Sequence, residues 1–225
     1  KPWPTVQVYT VGRKQRRVIS EVASMLTTDS LSEPDRYAQQ ARLVCAKLPT
    51  QIRKTLIDLE RLGDGGLLIQ GLDVGPIPAT PINPASNVTH TTVMANRTAL
   101  LISVIAKLVA YRAESWGRIC QCIVPTKGDK LRQTSTGSEV CLECHTEQAF
   151  NLLTRPDYIA LGCLRGDPHA ITYLMSARVL QKYLPNWAVE ALWEPRFFTR
   201  VDQSFIDGGV PDEVRGPIAV FTGLH

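Results

Sequence analysis

The alternation of apolar and polar positions divides the chain into a helical first third and a strand-rich remainder. Residues from about Val18 to Leu26 read as a helix ending at the turn Thr27-Thr28-Asp29-Ser30. Ser32-Glu33-Pro34-Asp35 is a helix start, with a polar cap and proline in the first turn, and the helix runs to about Leu48. Pro49-Thr50 separates it from a further helix to about Leu62, which Gly63-Asp64-Gly65-Gly66 stops. Leu67-Leu68-Ile69-Gln70, apolar and bounded by glycines, reads as a buried strand, and the proline-rich stretch from Gly75 to Pro84 as a loop. Thr98 to Tyr111 reads as a helix. Beyond it the period becomes that of strands over 118–124, 139–144, 158–164 and 170–174. Short helices are expected over 176–183 and 186–193, and strands over 197–205 and 217–221.

Helices first and many short strands after them predict an α+β fold, with helices packed on an antiparallel or barrel-like sheet. No repeat, low-complexity tract or linker interrupts the chain, so residues 1–225 are expected to form a single domain.

Composition narrows the function classes. A hydrophobic fraction of 44% and a charged fraction of 20% are those of an ordinary globular protein. The formal charge of +4 is mild and the basic residues are scattered, which argues against nucleic acid as a partner. The run Arg13-Lys14-Gln15-Arg16-Arg17 reads as a solvated helix face. The longest apolar run, Ala99 to Ala110, is interrupted by Lys107 and falls short of the roughly 20 residues that a span needs, so no membrane is expected. Lys1-Pro2-Trp3-Pro4 has no apolar signal-peptide core, and six cysteines without secretory features suggest reduced thiols in a cytoplasm.

Three chemistries compete for Cys141-Leu142-Glu143-Cys144-His145-Thr146-Glu147. Cys141, Cys144 and His145 satisfy the haem-attachment spacing C-x-x-C-H. In a strand, however, the two thiols face opposite ways, and no secretory route is evident. A zinc site would add Cys120 and Cys122, but structural zinc favours paired C-x-x-C knuckles and only one such pair is present. The third reading takes His145 and Glu147 as two ligands of a facial triad, two histidines and one carboxylate on one side of a ferrous ion. Ligands at i and i+2 of a strand point the same way, as such a site requires.

The surrounding segments favour the third reading. Gln133-Thr134-Ser135-Thr136-Gly137-Ser138, His145-Thr146-Glu147-Gln148-Ala149-Phe150 and the stretch from Arg155 to Arg165 together resemble the clavaminate synthase-like branch of the non-haem Fe(II)/2-oxoglutarate dioxygenases. Gly66 to Leu72, and Tyr111 to Arg118 with Gln121 to Pro125, are similar to earlier parts of the same family, so the resemblance runs from about residue 60 to 220. It implies a double-stranded β-helix, or jelly roll, with helices outside. It implies Fe(II), 2-oxoglutarate and O2 as cofactor and co-substrates, and hydroxylation or desaturation of a free L-amino acid, as in antibiotic pathways. A basic substrate such as arginine is expected. By the same resemblance His145 and Glu147 hold iron, Gln121 and Ser135 hold the substrate's polar backbone groups, and Glu147 also reaches its amine. Thr172 contacts 2-oxoglutarate, and Asp202 faces the cationic side chain. Glu147 argues against a halogenase, which needs a small residue there.

The family's distal histidine and the arginine that pairs with 2-oxoglutarate lie on late strands, and their counterparts are expected beyond residue 225. His90, His169 and His225 are the alternatives within the chain. A C-terminal part is therefore expected to be missing. The rival function is a catalytically inactive or incomplete jelly-roll binding module.

Overall fold

The computed structural model describes residues 6–62, 65–80, 91–147, 150–151 and 153–223. Its first half is a helical body seated on a parallel strand pair. Strand β1 (Gln7–Thr10) lies beside β2 (Leu67–Gln70) in parallel register, Gln7 opposite Leu67 and Thr10 opposite Gln70. β2 falls where the strand was expected, but it is not buried: Leu67 and Ile69 are partly covered and Leu68 is exposed. β1 was not read from the sequence, because its partner lies 60 residues further on and four residues show too little alternation to stand alone.

Helix α1 (Arg13–Ala23) starts at Gly12, whose N–H is taken by the Gln15 side chain at 3.1 Å. It buries Ile19, Val22 and Ala23 and leaves Arg13, Lys14, Arg16 and Arg17 exposed, so the basic run is a solvated face. α2 (Pro34–Val44) uses Pro34 in its first turn, where a missing N–H costs nothing, and buries Tyr37, Ala38 and Ala41. A single 3-10 turn (Cys45–Lys47) leads to α3 (Thr50–Leu62), which buries Ile52 and Leu56 one helical turn apart.

Helix α4 (Val93–Ile102) begins and ends earlier than the expected Thr98–Tyr111. Thr92 caps it by accepting from the Ala95 N–H at 3.1 Å, and the Ser103 hydroxyl turns back to the Ala99 carbonyl at 2.7 Å. These two hydroxyls set bounds that apolar content alone could not reveal. α4 packs on α1, α2 and α3. The Tyr37 hydroxyl donates to Asn96 Oδ1 at 2.8 Å, and Arg42 donates to the Ser103 carbonyl at 2.6 Å.

Arg97, 4% exposed, fastens the loop after β2 to this body. Its guanidinium donates to Ser20 Oγ at 2.9 Å, to Asp73 Oδ2 at 3.1 Å and to the Asp73 carbonyl. Further along that loop, Thr80 Oγ1 and the Pro78 carbonyl accept from Arg165 at 3.1 and 2.7 Å. Gly162 lies so close to α4 that a methyl group there would strike Thr98 and Met94.

The second half has less regular structure. Short helices α5 (Ala177–Leu180) and α6 (Asn186–Trp193) fall where expected. β3 (Phe197–Arg200) and β4 (Val214–Ile218) form an antiparallel ribbon around helix α7 (Gln203–Asp207). Two expectations are corrected here. The strand expected over 197–205 ends at Arg200, because Asp202 caps a helix instead. The segments 118–124, 139–144, 158–164 and 170–174 run without ladder pairing among the described residues. A period-2 pattern specifies two faces, but a strand also needs a partner backbone for every second N–H and C=O. The described strands thus make two ribbons of two within a mixed α and β arrangement, and the jelly roll is not assembled in them.

Burial follows the same division. Among the described residues, every buried apolar side chain apart from Val201 and Phe221 lies between Val11 and Leu101. The surface is 15294 Å², against roughly 10,000 Å² for a compact monomer of this mass, and Leu153, Leu161, Ile171 and Tyr173 are among the apolar side chains left exposed. No helix among the described residues is long and apolar enough to cross a membrane.

Stability should therefore respond to the first half. Ile52→Ala is expected to cost about 2–5 kcal/mol in chemical denaturation, and Leu161→Ala to stay within about 0.5 kcal/mol of the parent chain.

Candidate functional site

His145 and Glu147 sit on an extended, exposed segment that leaves the compact turn cluster of residues 126–139. His145 Nε2 lies 3.7 Å from Glu147 Oε1, so the i, i+2 spacing puts both side chains on one side. His145 Nδ1 lies 2.7 Å from the Glu143 carbonyl oxygen. A carbonyl can only accept, so Nδ1 carries a proton, and in the neutral ring Nε2, on the Glu147 side, is then the nitrogen able to ligate. An imidazole lone pair and a carboxylate, side by side and open to solvent, are two donors for a divalent ion.

The other expected residues make no hydrogen bond or ion pair with His145 or Glu147 among the described residues. Gln121 is exposed between Cys120 and Cys122, and Ser135 is exposed in the turn cluster. Thr172 is exposed on an unpaired stretch and not on the expected strand. Asp202 is the N-cap of α7, accepting from the Ser204 N–H at 2.8 Å. His169 stands on another turn, and His90 and His225 lie outside the described residues, as do Gln148 and Ala149. Among the described residues no group of three His, Cys, Asp or Glu side chains gathers where it could hold a metal, so the four-cysteine zinc arrangement is not formed.

Electrostatics adds a residue that the sequence reading passed over. Half-buried Glu114 has its pKa raised, first by burial and then by the charges of Glu147 and Asp202. Tyr111 is raised as well, by burial and then by Glu147 and Glu114. Three carboxylates thus share one neighbourhood. The sequence signal for Glu114 was weak, because its partners are 33 and 88 positions away. A left-handed turn supports it: Ser115 and Trp116 take φ of 46° and 59°, a conformation that costs non-glycine residues on the order of 1–3 kcal/mol each and clusters at functional sites.

The elements bearing these groups are docked on one another. The Tyr111 ring meets Phe205 of α7 edge-on at 5.2 Å, and its hydroxyl donates to the Thr154 carbonyl. Gly208 lies where any side chain would overlap the Ala113 carbonyl, so α7 presses directly on the turn bearing Glu114. Arg132 reaches from the turn cluster to Asp207 at 3.6 Å. Arg215 of β4 stacks over Phe150 at 4.3 Å.

Comparison with known proteins gives this geometry a context. No protein-family model matches the chain. Over 211 residues it is 39% identical to the L-lysine 3-hydroxylase of Catenulispora acidiphila, covering 91% of this chain and 59% of that protein. It is 30% identical over 183 residues to clavaminate synthase 2 of Streptomyces clavuligerus, covering 78% of this chain and 55% of that protein. The solved structure of an asparagine oxygenase in complex with Fe(II), 2S,3S-3-hydroxyasparagine and succinate superposes with a TM-score of 0.83 and 27% identity, over 96% of this chain and 69% of that one. The chain thus spans somewhat over half the length of the two curated relatives.

The charge on Glu114 has a testable cost. Its pKa lies above the ordinary 4.5, so the native state holds this proton more tightly than the unfolded chain does. Stability is then lost as pH rises from the ordinary value through the raised one. Glu114→Gln should melt with the parent chain near pH 4, roughly, and above it near pH 7, roughly, in paired thermal scans. Equal melting temperatures at both would contradict the shared carboxylate neighbourhood.

Proposed function

The chain is a relative of the clavaminate synthase-like amino-acid oxygenases, and from that premise we propose that it is a non-haem Fe(II)/2-oxoglutarate-dependent oxygenase. It hydroxylates or desaturates a free basic L-amino acid, such as arginine or lysine, in natural-product biosynthesis in the cytoplasm. The observation that carries the reading is the His145–Glu147 pair, with one imidazole nitrogen tied to a carbonyl and the other 3.7 Å from a carboxylate oxygen. Kinship of 39% identity to an L-lysine 3-hydroxylase supports it.

The donors present fit iron in kind. A neutral imidazole and a carboxylate are two of the three ligands of a facial site, and such a site leaves positions for 2-oxoglutarate and O2. When bound, that centre supplies the oxidising power for attack on an unactivated C–H bond, while 2-oxoglutarate leaves as succinate and CO2. The chain's own residues hold and orient. Gln121 and Ser135 take the substrate's polar backbone groups, Glu147 also meets its amine, and Thr172 meets 2-oxoglutarate. Asp202 faces the side-chain cation, with Glu114 adding negative potential from its half-buried position. In this reading the full fold is a double-stranded β-helix, with the described helices outside it.

The specificity rests on charge. Three carboxylates near one another repel, and a guanidinium or ammonium group relieves that repulsion, whereas an acidic side chain adds to it.

Turnover tests the proposal. With the whole protein that contains this chain, Fe(II), 2-oxoglutarate and each of the twenty amino acids in turn, succinate should form fastest with L-lysine or L-arginine, and His145→Ala should reduce it to background. Asp202→Asn should raise KM for the basic substrate by roughly tenfold, the loss of one charge-assisted hydrogen bond. No succinate with any of the twenty would exclude the oxygenase reading in favour of a binding module.

A further inference from the structure

The segment bearing His145 makes no backbone-to-backbone hydrogen bond over residues 141–147 among the described residues. Among the described residues, its backbone is bonded from outside the segment by the Gln133 side chain. Gln133 Nε2 donates to the Cys141 carbonyl at 2.8 Å, and Gln133 Oε1 accepts from the Glu143 N–H at 3.0 Å. A carbonyl at i and an N–H at i+2 form one hydrogen-bonding edge of an extended strand, so the Gln133 amide stands in for a neighbouring strand. The same residue 143 then offers its carbonyl to His145 Nδ1 at 2.7 Å.

Gln133 is itself well anchored. It lies within a turn cluster knotted around Asp129, whose carboxylate accepts from Thr126 Oγ1 at 2.7 Å, Thr136 Oγ1 at 2.8 Å and Arg132 at 2.8 Å. Those bonds hold the Asp129 pKa below its usual value, the two threonine hydroxyls contributing most. The Glu139 N–H closes the cluster on the Lys130 carbonyl at 2.8 Å, and the two side chains pair at 3.1 Å. A rigid loop thereby grips the peptide whose carbonyl orients the imidazole.

We propose that Gln133 is a positioning residue for the metal half-site. By fixing residues 141–143 it aims the Glu143 carbonyl at His145 Nδ1, which holds the tautomer whose Nε2 is free for a divalent ion. The inference rests on His145 and Glu147 being metal donors, as proposed above. Groups that orient a ligating histidine typically change metal affinity by about 10–100-fold when removed. Gln133 acts through one intervening peptide, and roughly tenfold is expected.

The test uses the whole chain without added 2-oxoglutarate. Co(II) affinity is measured by calorimetry, and the His145 tautomer by long-range ¹⁵N–¹H NMR of the metal-free protein. Gln133→Met keeps the length and removes both hydrogen bonds at an exposed position, so folding is not at stake; Leu131→Ala in the same turn cluster is the control. Gln133→Met should bind Co(II) about tenfold more weakly and show mixed tautomers at His145, with Leu131→Ala unchanged in both. If His145→Ala weakens Co(II) binding while Gln133→Met matches the parent chain in affinity and tautomer, the role of Gln133 is overturned alone. If His145→Ala leaves Co(II) affinity unchanged, the half-site falls, and this inference with it.

Discussion

A guanidinium taken almost wholly out of water organises the connection between the two halves of this protein. Arg97 projects from α4 into the space between α1 and the loop after β2, and three of its hydrogen bonds end on Ser20 and Asp73. Its Nε is buried with no hydrogen-bond partner, so the desolvation of this group is offset mainly through the two terminal nitrogens. The pairing holds the Asp73 carboxyl below its usual pKa, after the larger contribution of the Gly75 N–H, which the same carboxylate also receives. From that fastening the loop runs to Pro78 and Thr80, where Arg165 takes hold. One buried cation thus fastens to the helical body the loop that Arg165 grips further along.

The two halves are held by different forces. The first is held by apolar burial around Ile19, Tyr37, Ile52 and Leu100, each at or near zero exposure, with Tyr37 and Asn96 joined across it by a hydrogen bond. The second has few buried side chains and relies on short-range polar knots: the Asp129 cluster, the Gln133 amide clamp and the Arg215–Phe150 stack. Such bonds are individually worth about 0.5–1.5 kcal/mol, less when solvated, so they set local geometry more than global stability. That division suits an open site, where donors must face solvent and ligand and still be held in register.

In the proposed reading the site combines a metal half-site with a cation-attracting surround. His145 and Glu147 offer adjacent nitrogen and oxygen donors, while Glu114, Glu147 and Asp202 bring negative charge to a common neighbourhood. Glu147 belongs to both groups, so the charge that would bind an ion and the charge that would bind a basic substrate are coupled. The strained turn at Ser115 and Trp116, pressed on by α7, holds Glu114 in place despite that repulsion.

Much of this was legible in the amino-acid order, because it depends on contacts within a few residues. The helix starting at Pro34, the stop after Leu62, strand β2 and helix α6 follow from caps, breakers and periodicity. The i, i+2 pairing of His145 with Glu147 follows from the alternation of an extended chain, and the resemblance that raised it above a C-x-x-C-H decoy was carried by neighbouring segments. What needed tertiary structure was everything defined by distant partners. β1 exists because β2 lies beside it, and α4 is bounded by hydroxyls whose role local composition does not show. Asp202 is a helix cap because the chain turns after Arg200. Glu114 matters because folding brings Glu147 and Asp202 to it, and Gln133 because its amide meets a backbone edge that found no strand. Local pattern decides which residues can form an element or donate to a metal; long-range packing and desolvation decide which of them meet.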